Sequence, residues 1–341
     1  MSASSPLINS SSIVLITGSN QGVGYEACKQ LSSDSRVSKI ILTCRSVAKA
    51  ETAITSLMKD TNKPREFYNF VVLDLCKIDT VNAAIETLPK IDRICLNAGV
   101  VSNGLNEESG VNENFVATLG HAKLVDGLIA AGKIGSGARV IYIGTELTRS
   151  VYGLCGMTPY ICSFTEKDLD SAIHDDVSCN CMPIRSQFDN YARAKIVGTL
   201  WSSNMANKHP EIYFATTSPG AVVTNIFDKA YFPINYIASI KCGEFSFARC
   251  VFAAAGVSSC NDIEDGGARY KAAIIDDDFT TKFKSGSVPQ SGKCCGCIAY
   301  SASGPLEDNS SYASYFTDAK LLRATGDKVT AEVTRWESMQ R

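Results

Sequence analysis

Tyr191 and Lys195 stand four residues apart in YARAK (191–195), a spacing that puts both side chains on one face of a helix. A lysine ammonium near a phenol favours the phenolate and lowers its pKa from about 10 towards working pH. Such a tyrosine can give or take a proton while a hydride moves. Taken alone, the pair is more simply read as a solvated helix pair; the chemistry needs two further parts. One is a hydroxyl at a strand end, which Thr145 supplies in IYIGTE (141–146). The other is a cradle for an anionic cofactor. LITGSNQGVGYE (15–26) offers it, with Gly18, Gly22 and Gly24 directly behind the apolar run 13–16. Glycine serves any tight turn, but here a helix begins at the same point. Gly18 turns the chain off the strand, Gly22 lets the backbone approach a pyrophosphate, and Gly24 allows close packing of the helix whose N–H groups face the anion.

These parts need a sheet to hold them. Apolar runs recur at 13–16, 39–44, 69–75, 92–98, 138–144 and 212–218, separated by stretches such as 46–59, 78–89 and 113–132 with apolar residues three and four apart. Continuous rather than alternating runs indicate strands buried on both faces, and strand–helix alternation means an α/β doubly wound parallel sheet. Residues 146–190 break the rhythm with Gly, Pro, Cys and charge and no clear period. After 226 the chain is irregular: AYFPINYIASIK is aromatic-rich, DIEDGGARYKAAIIDDD reads as loop and KSGSVPQSGKCCGC as flexible, until a helical pattern returns near 316–336. We read a tail over 1–11 and one domain over 12–341, with an insertion at 146–190 and substrate-covering, irregular segments over 226–310.

In this order, the glycine turn, LNAG (96–99), YARAK and SPGAVVTNIF (218–227) resemble the classical short-chain dehydrogenase/reductase family, from about residue 12 to 227. The set resembles the branch of carbonyl reductases and protochlorophyllide reductases, and FDNYARAK (188–195) resembles the lead-in of the protochlorophyllide reductases. The resemblance implies a Rossmann fold and catalysis by Thr145, Tyr191 and Lys195, with threonine where the family has serine. It places Thr17, Gly18, Asn20, Gln21, Gly22, Val23, Gly24, Arg45, Leu75, Ala98, Gly99, Pro219, Gly220 and Val222 about the cofactor. Asp74 then resembles the adenine contact and Asn97 lines the ribose side. Lys195 holds the nicotinamide ribose and Thr224 meets the carboxamide and phosphates.

Two departures stand out. The family's relay asparagine, in a motif like NHLGHF, is Ala117 in ATLGHA (117–122); Asn114, one turn earlier, or water alone takes its place. His121 reads as a packed helix residue. Thr145 and Tyr191 are also far apart, and the insertion between them shapes the substrate mouth. Relatives pair through the helix bearing Tyr-x-x-x-Lys; an insertion covering that surface implies a monomer.

Cofactor choice is read at the end of the second strand. NAD users place an acid there for the ribose 2′-OH. LTCRSVAKAE (42–51) has instead Arg45 next to the strand, suited to a 2′-phosphate, though Gln21 stands where many NADP users carry a base. The expected cofactor is NADPH/NADP+.

Bulk properties agree with a soluble enzyme: 341 residues, 45% hydrophobic, 20% charged and a formal net charge of −2 give no case for nucleic acid. No run reaches the ~20 apolar residues of a membrane span, and the N-terminus resembles no secretory signal. We expect a cytoplasmic protein whose fourteen cysteines are reduced. CNC (179–181) with His174, and CCGC (294–297), lack paired zinc spacing, so Cys179, Cys181, Cys294, Cys295 and Cys297 read as loop thiols and no metal is expected. The leading reading is an NADP(H)-dependent reductase of a carbonyl or enone on a small molecule. Protochlorophyllide-type double-bond reduction and a non-catalytic NADP(H) sensor are the alternatives; the intact Tyr191 and Lys195 weigh against the last. Phe227, Tyr231, Phe232, Tyr236 and Ile237 are expected to form an aromatic lid over the substrate.

Overall fold

The computed structural model describes residues 11–102, 104–145, 163–175, 183–220, 222, 241–242, 245–246, 262–291, 306–308 and 314–339. All six apolar runs form strands: β1 Ser12–Ile16, β2 Val37–Cys44, β3 Tyr68–Val72, β4 Arg93–Leu96, β5 Arg139–Ile143 and β6 Tyr213–Thr217. They pair in parallel in the order β3-β2-β1-β4-β5-β6. Alternate residues point to opposite faces. Leu15, Ile41, Ile94, Val140 and Phe214 join the core on one side, and Val14, Ile16, Ile40, Leu42, Cys95 and Ile141 join that on the other. Beyond β6 the edge is covered by residues 285–288: the Gly286 N–H donates to the Phe214 carbonyl (2.7 Å) and the Thr216 N–H to that of Ser287 (3.0 Å).

The helices divide between the faces. Helices α1 (Gly22–Ser32) and α2 (Val47–Thr61) lie on the second face. Helices α3 (Ile78–Thr87) and α4 (Glu113–Ala130) lie on the first. Strand order reverses between β1 and β4, so a crevice for a ligand opens above their C-terminal ends. The glycine turn and LNAG border it.

The interval 146–190 holds more regular structure than its pattern suggests. Helix α5 spans Glu166–His174 and α6 already begins at Pro183, running to Lys208. The α5 start is fixed locally: the Thr165 N–H donates to the Asp168 carboxylate (2.8 Å), while Leu169, Ala172 and Ile173 are buried. Nine residues are too few for the apolar spacing to declare itself.

The segment read as loop, DIEDGGARYKAAIIDDD, is helical: α7 is Ile263–Ile275 and α8 is Asp277–Lys282. Its glycine pair suggested a turn because glycine weakens helices. Here they serve close packing on α1, since a Cβ on Gly267 would lie 2.7 Å from Cγ of Glu26. The expected C-terminal helix is α9, Ala319–Met339. It joins α4, α5 and α6 in the core of the first face. Charged groups hold it there: Lys123 pairs with Glu337, His174 Nε2 lies 3.0 Å from Glu332 Oε1, and Arg335 Nη2 donates to the Ser109 carbonyl (2.6 Å). Residues 1–10, the cysteines of CNC and CCGC, and the proposed lid at 227–237 lie outside the described residues.

Candidate functional site

The turn after β1 is built mainly of backbone. Gly18 (φ 62°) and Gly22 (φ 64°) hold left-handed conformations that side chains disfavour. Gly24 is packed so closely that a Cβ would lie 2.6 Å from Nδ2 of Asn97 and 2.9 Å from the Gly18 carbonyl oxygen. At the start of α1, Gln21 makes no side-chain cap and no acid occupies the first turn, so its N-terminal amides suit an anion. Thr17 lies beneath, fully buried. Its Oγ1 accepts from the Ala98 N–H (2.9 Å) and meets His121 Nε2 at 2.9 Å. Its side chain pegs β1 to β4 and α4. Asn20 and Gln21 remain open to solvent to different degrees, while Val23 is buried on the α1 side.

Asn97 ties LNAG to the turn. Its Nδ2 donates to the carbonyls of Thr17 (2.8 Å) and Gly18 (3.2 Å). At the end of β3, Asp74 Oδ1 accepts from the Cys76 N–H (3.1 Å), and Leu75 is buried next to Gly120. Arg45 is exposed at the end of β2 and makes no hydrogen bond or ion pair with a described residue.

On the other side of the crevice, Thr145 follows β5 and hydrogen-bonds the phenol of Tyr191 on α6. Lys195 Nζ donates to the Ile143 carbonyl (2.6 Å), lies 4.9 Å from the Tyr142 ring centre and 5.9 Å from that of Tyr191. A Cβ on Gly99 would sit 3.4 Å from this Nζ. Thus Thr145, Tyr191, Lys195 and Gly99 are brought together, as their motifs imply. The direction of the tyrosine shift is not as expected. Burial raises the Tyr191 pKa above the ordinary phenol value, with the Thr145 hydrogen bond opposing, while Lys195 Nζ donates to the Ile143 carbonyl. Burial also lowers Lys195 to about 8. Tyr191 is therefore a neutral phenol near pH 7, the form that donates a proton.

Asn114 lies at the base of this wall with both ends of its amide engaged. Oδ1 accepts from the Ser102 N–H (2.9 Å) and Nδ2 donates to the Ser102 carbonyl (2.7 Å). It braces the loop after β4, while Ala117 packs against the core. His121 is wholly buried, as a packed helix residue would be; burial, then Lys195, keeps it well below the ordinary imidazole range. Tyr142, which sequence reasoning did not single out, forms the floor under Lys195. Its hydroxyl meets Thr118 Oγ1 (2.8 Å) and fits only because Gly198 lacks a Cβ, which would lie 2.1 Å from that oxygen. No motif marks it; as one of five buried β5 residues it reads as core. Past β6, Gly220 (φ 83°) follows Pro219, and its N–H donates to Ser218 Oγ (3.1 Å). Val222 borders α7 beside Gly266. Thr224 lies outside the described residues. Among the described residues no group of three or more metal-ligating side chains converges, and no helix is long and apolar enough to cross a membrane.

The family model of short chain dehydrogenases matches residues 12–163. Short chain dehydrogenase yanD of Aspergillus niger is 34% identical over 147 residues, 39% of this chain and 44% of that protein. The chloroplastic protochlorophyllide reductase of Daucus carota is 24% identical over 238 residues, 65% of this chain and 58% of that one. The matched stretches thus span about half the length of these two relatives. An uncharacterized protein from Mycobacterium paratuberculosis has the same fold (TM-score 0.57, 17% identity, covering 94% of this chain and 93% of that one). With the glycine turn, LNAG and Tyr191–Lys195 set about one crevice, the chain is similar to the classical short-chain dehydrogenase/reductase family, whose model matches its residues 12–163.

Proposed function

We propose that the protein is an NADP(H)-dependent reductase of a carbonyl or enone on a small molecule. The observation that carries this reading is the Thr145–Tyr191 hydrogen bond beside buried Lys195, facing a turn of left-handed glycines. The residues present fit a dinucleotide: the close approach at Gly18 and Gly24 leaves backbone to meet a pyrophosphate, and exposed Arg45 makes no ion pair with a described residue. Bound nicotinamide would supply the hydride. Thr145 Oγ1 and the Tyr191 hydroxyl together would hold the substrate oxygen, and the neutral Tyr191 phenol would pass its proton there. Lys195 would steady the ribose and favour the phenolate left behind. Asn114 being engaged with Ser102, reprotonation through water alone is favoured over an Asn114 relay.

Arg45 supports NADPH over NADH, through bidentate contact with a 2′-phosphate. Double-bond reduction of the protochlorophyllide type is the second reading because that relative matches over 65% of this chain. Helices α5 and α9 pack over α4 and α6, the surface at which a second copy would otherwise pair, and this supports a monomer of 36.6 kDa. A cytoplasmic setting accords with free Cys28, Cys44, Cys76 and Cys95. The test is NADPH consumption against aldehydes, quinones, steroids and cyclic ketones, with Tyr191→Phe as the blank. Turnover by wild type alone supports the reading. NADPH binding with no turnover across the panel would move it to a sensor, and a co-purifying visible pigment would move it to the second reading.

A further inference from the structure

The C-terminal third reaches the nucleotide turn from behind. Tyr270 on α7 is buried, and its hydroxyl donates to Asn97 Oδ1 at 3.0 Å. That oxygen belongs to the amide whose Nδ2 holds the Thr17 and Gly18 carbonyls. An asparagine amide can sit either way round; reversed here, its oxygen would face two carbonyl oxygens and its NH2 would face Tyr270. Gly24 packs on the same Nδ2, where a Cβ would stand at 2.6 Å. Helix α7 is itself seated by Gly266 and Gly267. A Cβ on Gly266 would meet Val23 at 3.1 Å, Val222 at 3.2 Å and Pro219 at 3.4 Å. One helix therefore touches the α1 end of the turn, the segment after β6 and, through Tyr270, the amide between β1 and β4.

We propose that Tyr270 is a positioning residue for cofactor binding: its hydroxyl fixes the Asn97 amide, which in turn fixes the carbonyls of Thr17 and Gly18, so that the amides of the turn point into the crevice. This rests on the reading of the crevice as a nucleotide site. It gives α7, far along the chain from the glycines, a share in nucleotide affinity. Removing the hydroxyl takes the donor from Oδ1 of half-buried Asn97, and the amide is then free to lose register with the turn.

Tyr270→Phe deletes one oxygen and keeps the ring. In a fluorescence titration, NADPH Kd is expected to rise about tenfold, which is ~1.4 kcal/mol, with little change in melting temperature. Hydrogen exchange of residues 15–26 without nucleotide should speed up, while exchange in β5 and β6 stays as in wild type. A melting temperature that falls while Kd and exchange at 15–26 remain at wild-type values would make Tyr270 mere core and overturn the proposal. Asn97→Asp keeps an oxygen for Tyr270 but loses both amide donors, and it should weaken NADPH at least as much. Wild-type affinity in that variant overturns the proposal whatever Tyr270→Phe does. Should wild type itself not bind NADPH, the cofactor reading falls, and exchange at 15–26 decides alone: faster in Tyr270→Phe upholds the strut, unchanged removes it.

Discussion

Between Thr17 and Gly24 the chain meets its crevice with backbone, while between Thr145 and Lys195 it meets it with side chains. The first wall depends on atoms that are missing: left-handed φ at Gly18 and Gly22, and no Cβ at Gly24 where one would strike Asn97 and the Gly18 carbonyl. Nothing in it needs to titrate. The second wall depends on polar atoms held out of water, with Tyr191 raised and Lys195 lowered by the same burial. Binding and chemistry are thus separable here. Damage to the turn should appear in nucleotide affinity, and damage to the other wall in turnover and pH dependence.

The harshest way to break the backbone wall is to add one carbon. In Gly24→Ala the new Cβ meets Asn97 Nδ2 and backbone of residue 18 within 3 Å, so the turn or α1 must shift. NADPH affinity should fall more than about tenfold, whereas overpacking of this kind costs ~1–3 kcal/mol in stability. Gly267→Ala is the milder comparison. Its Cβ would press on Glu26 and Gln30 side chains across α1, so it should lower the melting temperature and, acting on the turn only through α7, lower the affinity less than Gly24→Ala does. Isothermal titration beside thermal melts separates the two.

The side-chain wall should betray itself through pH. Unfolded Lys195 keeps its proton up to 10.5, the folded one only to about 8. Between those values the unfolded chain binds more protons, so this lysine makes stability rise as pH rises through the window. At about 1.36 kcal/mol per pKa unit the gain is ~3 kcal/mol. Urea unfolding at pH 8 and 10 should show wild type gaining on Lys195→Met by that order; parallel curves would mean that the ammonium is not buried as described.

A smaller effect tests Arg45, which belongs to neither wall. Arg45→Asp places a carboxylate where a ribose 2′-OH could use it and a 2′-phosphate could not. The ratio of NADPH to NADH affinity should move towards NADH by about tenfold, the size of one charged contact of ~1.4 kcal/mol. An unchanged ratio would remove Arg45 from the cofactor site.

The N-terminal part of this design was legible because each element is long enough to carry a period and each turn after it is short. Ile13 to Ile16, Lys39 to Cys44 and the others could only be buried strands, and the glycines stood at their ends. What failed to show was of two kinds. Short or glycine-bearing helices hid their pattern: α5 has nine residues, and Gly266 and Gly267 read as a break although they are what lets α7 lie on α1. Long-range polar contacts leave no local mark either. Nothing near Tyr270 points to Asn97, 173 residues away, and nothing near Lys195 tells that its ammonium is turned to Ile143. Burial, which no local pattern declares, reversed the expected tyrosine shift.

The separation of binding from chemistry is tested most directly by Tyr191→Phe, with NADPH affinity and turnover of one substrate from the carbonyl panel measured on the same preparation. Loss of a general acid costs roughly 10²–10⁴ in rate. The account predicts a loss of that size with NADPH Kd within about twofold of wild type, since Phe keeps the buried ring and leaves the glycine turn untouched. Turnover near the wild-type rate with NADPH bound normally would contradict it.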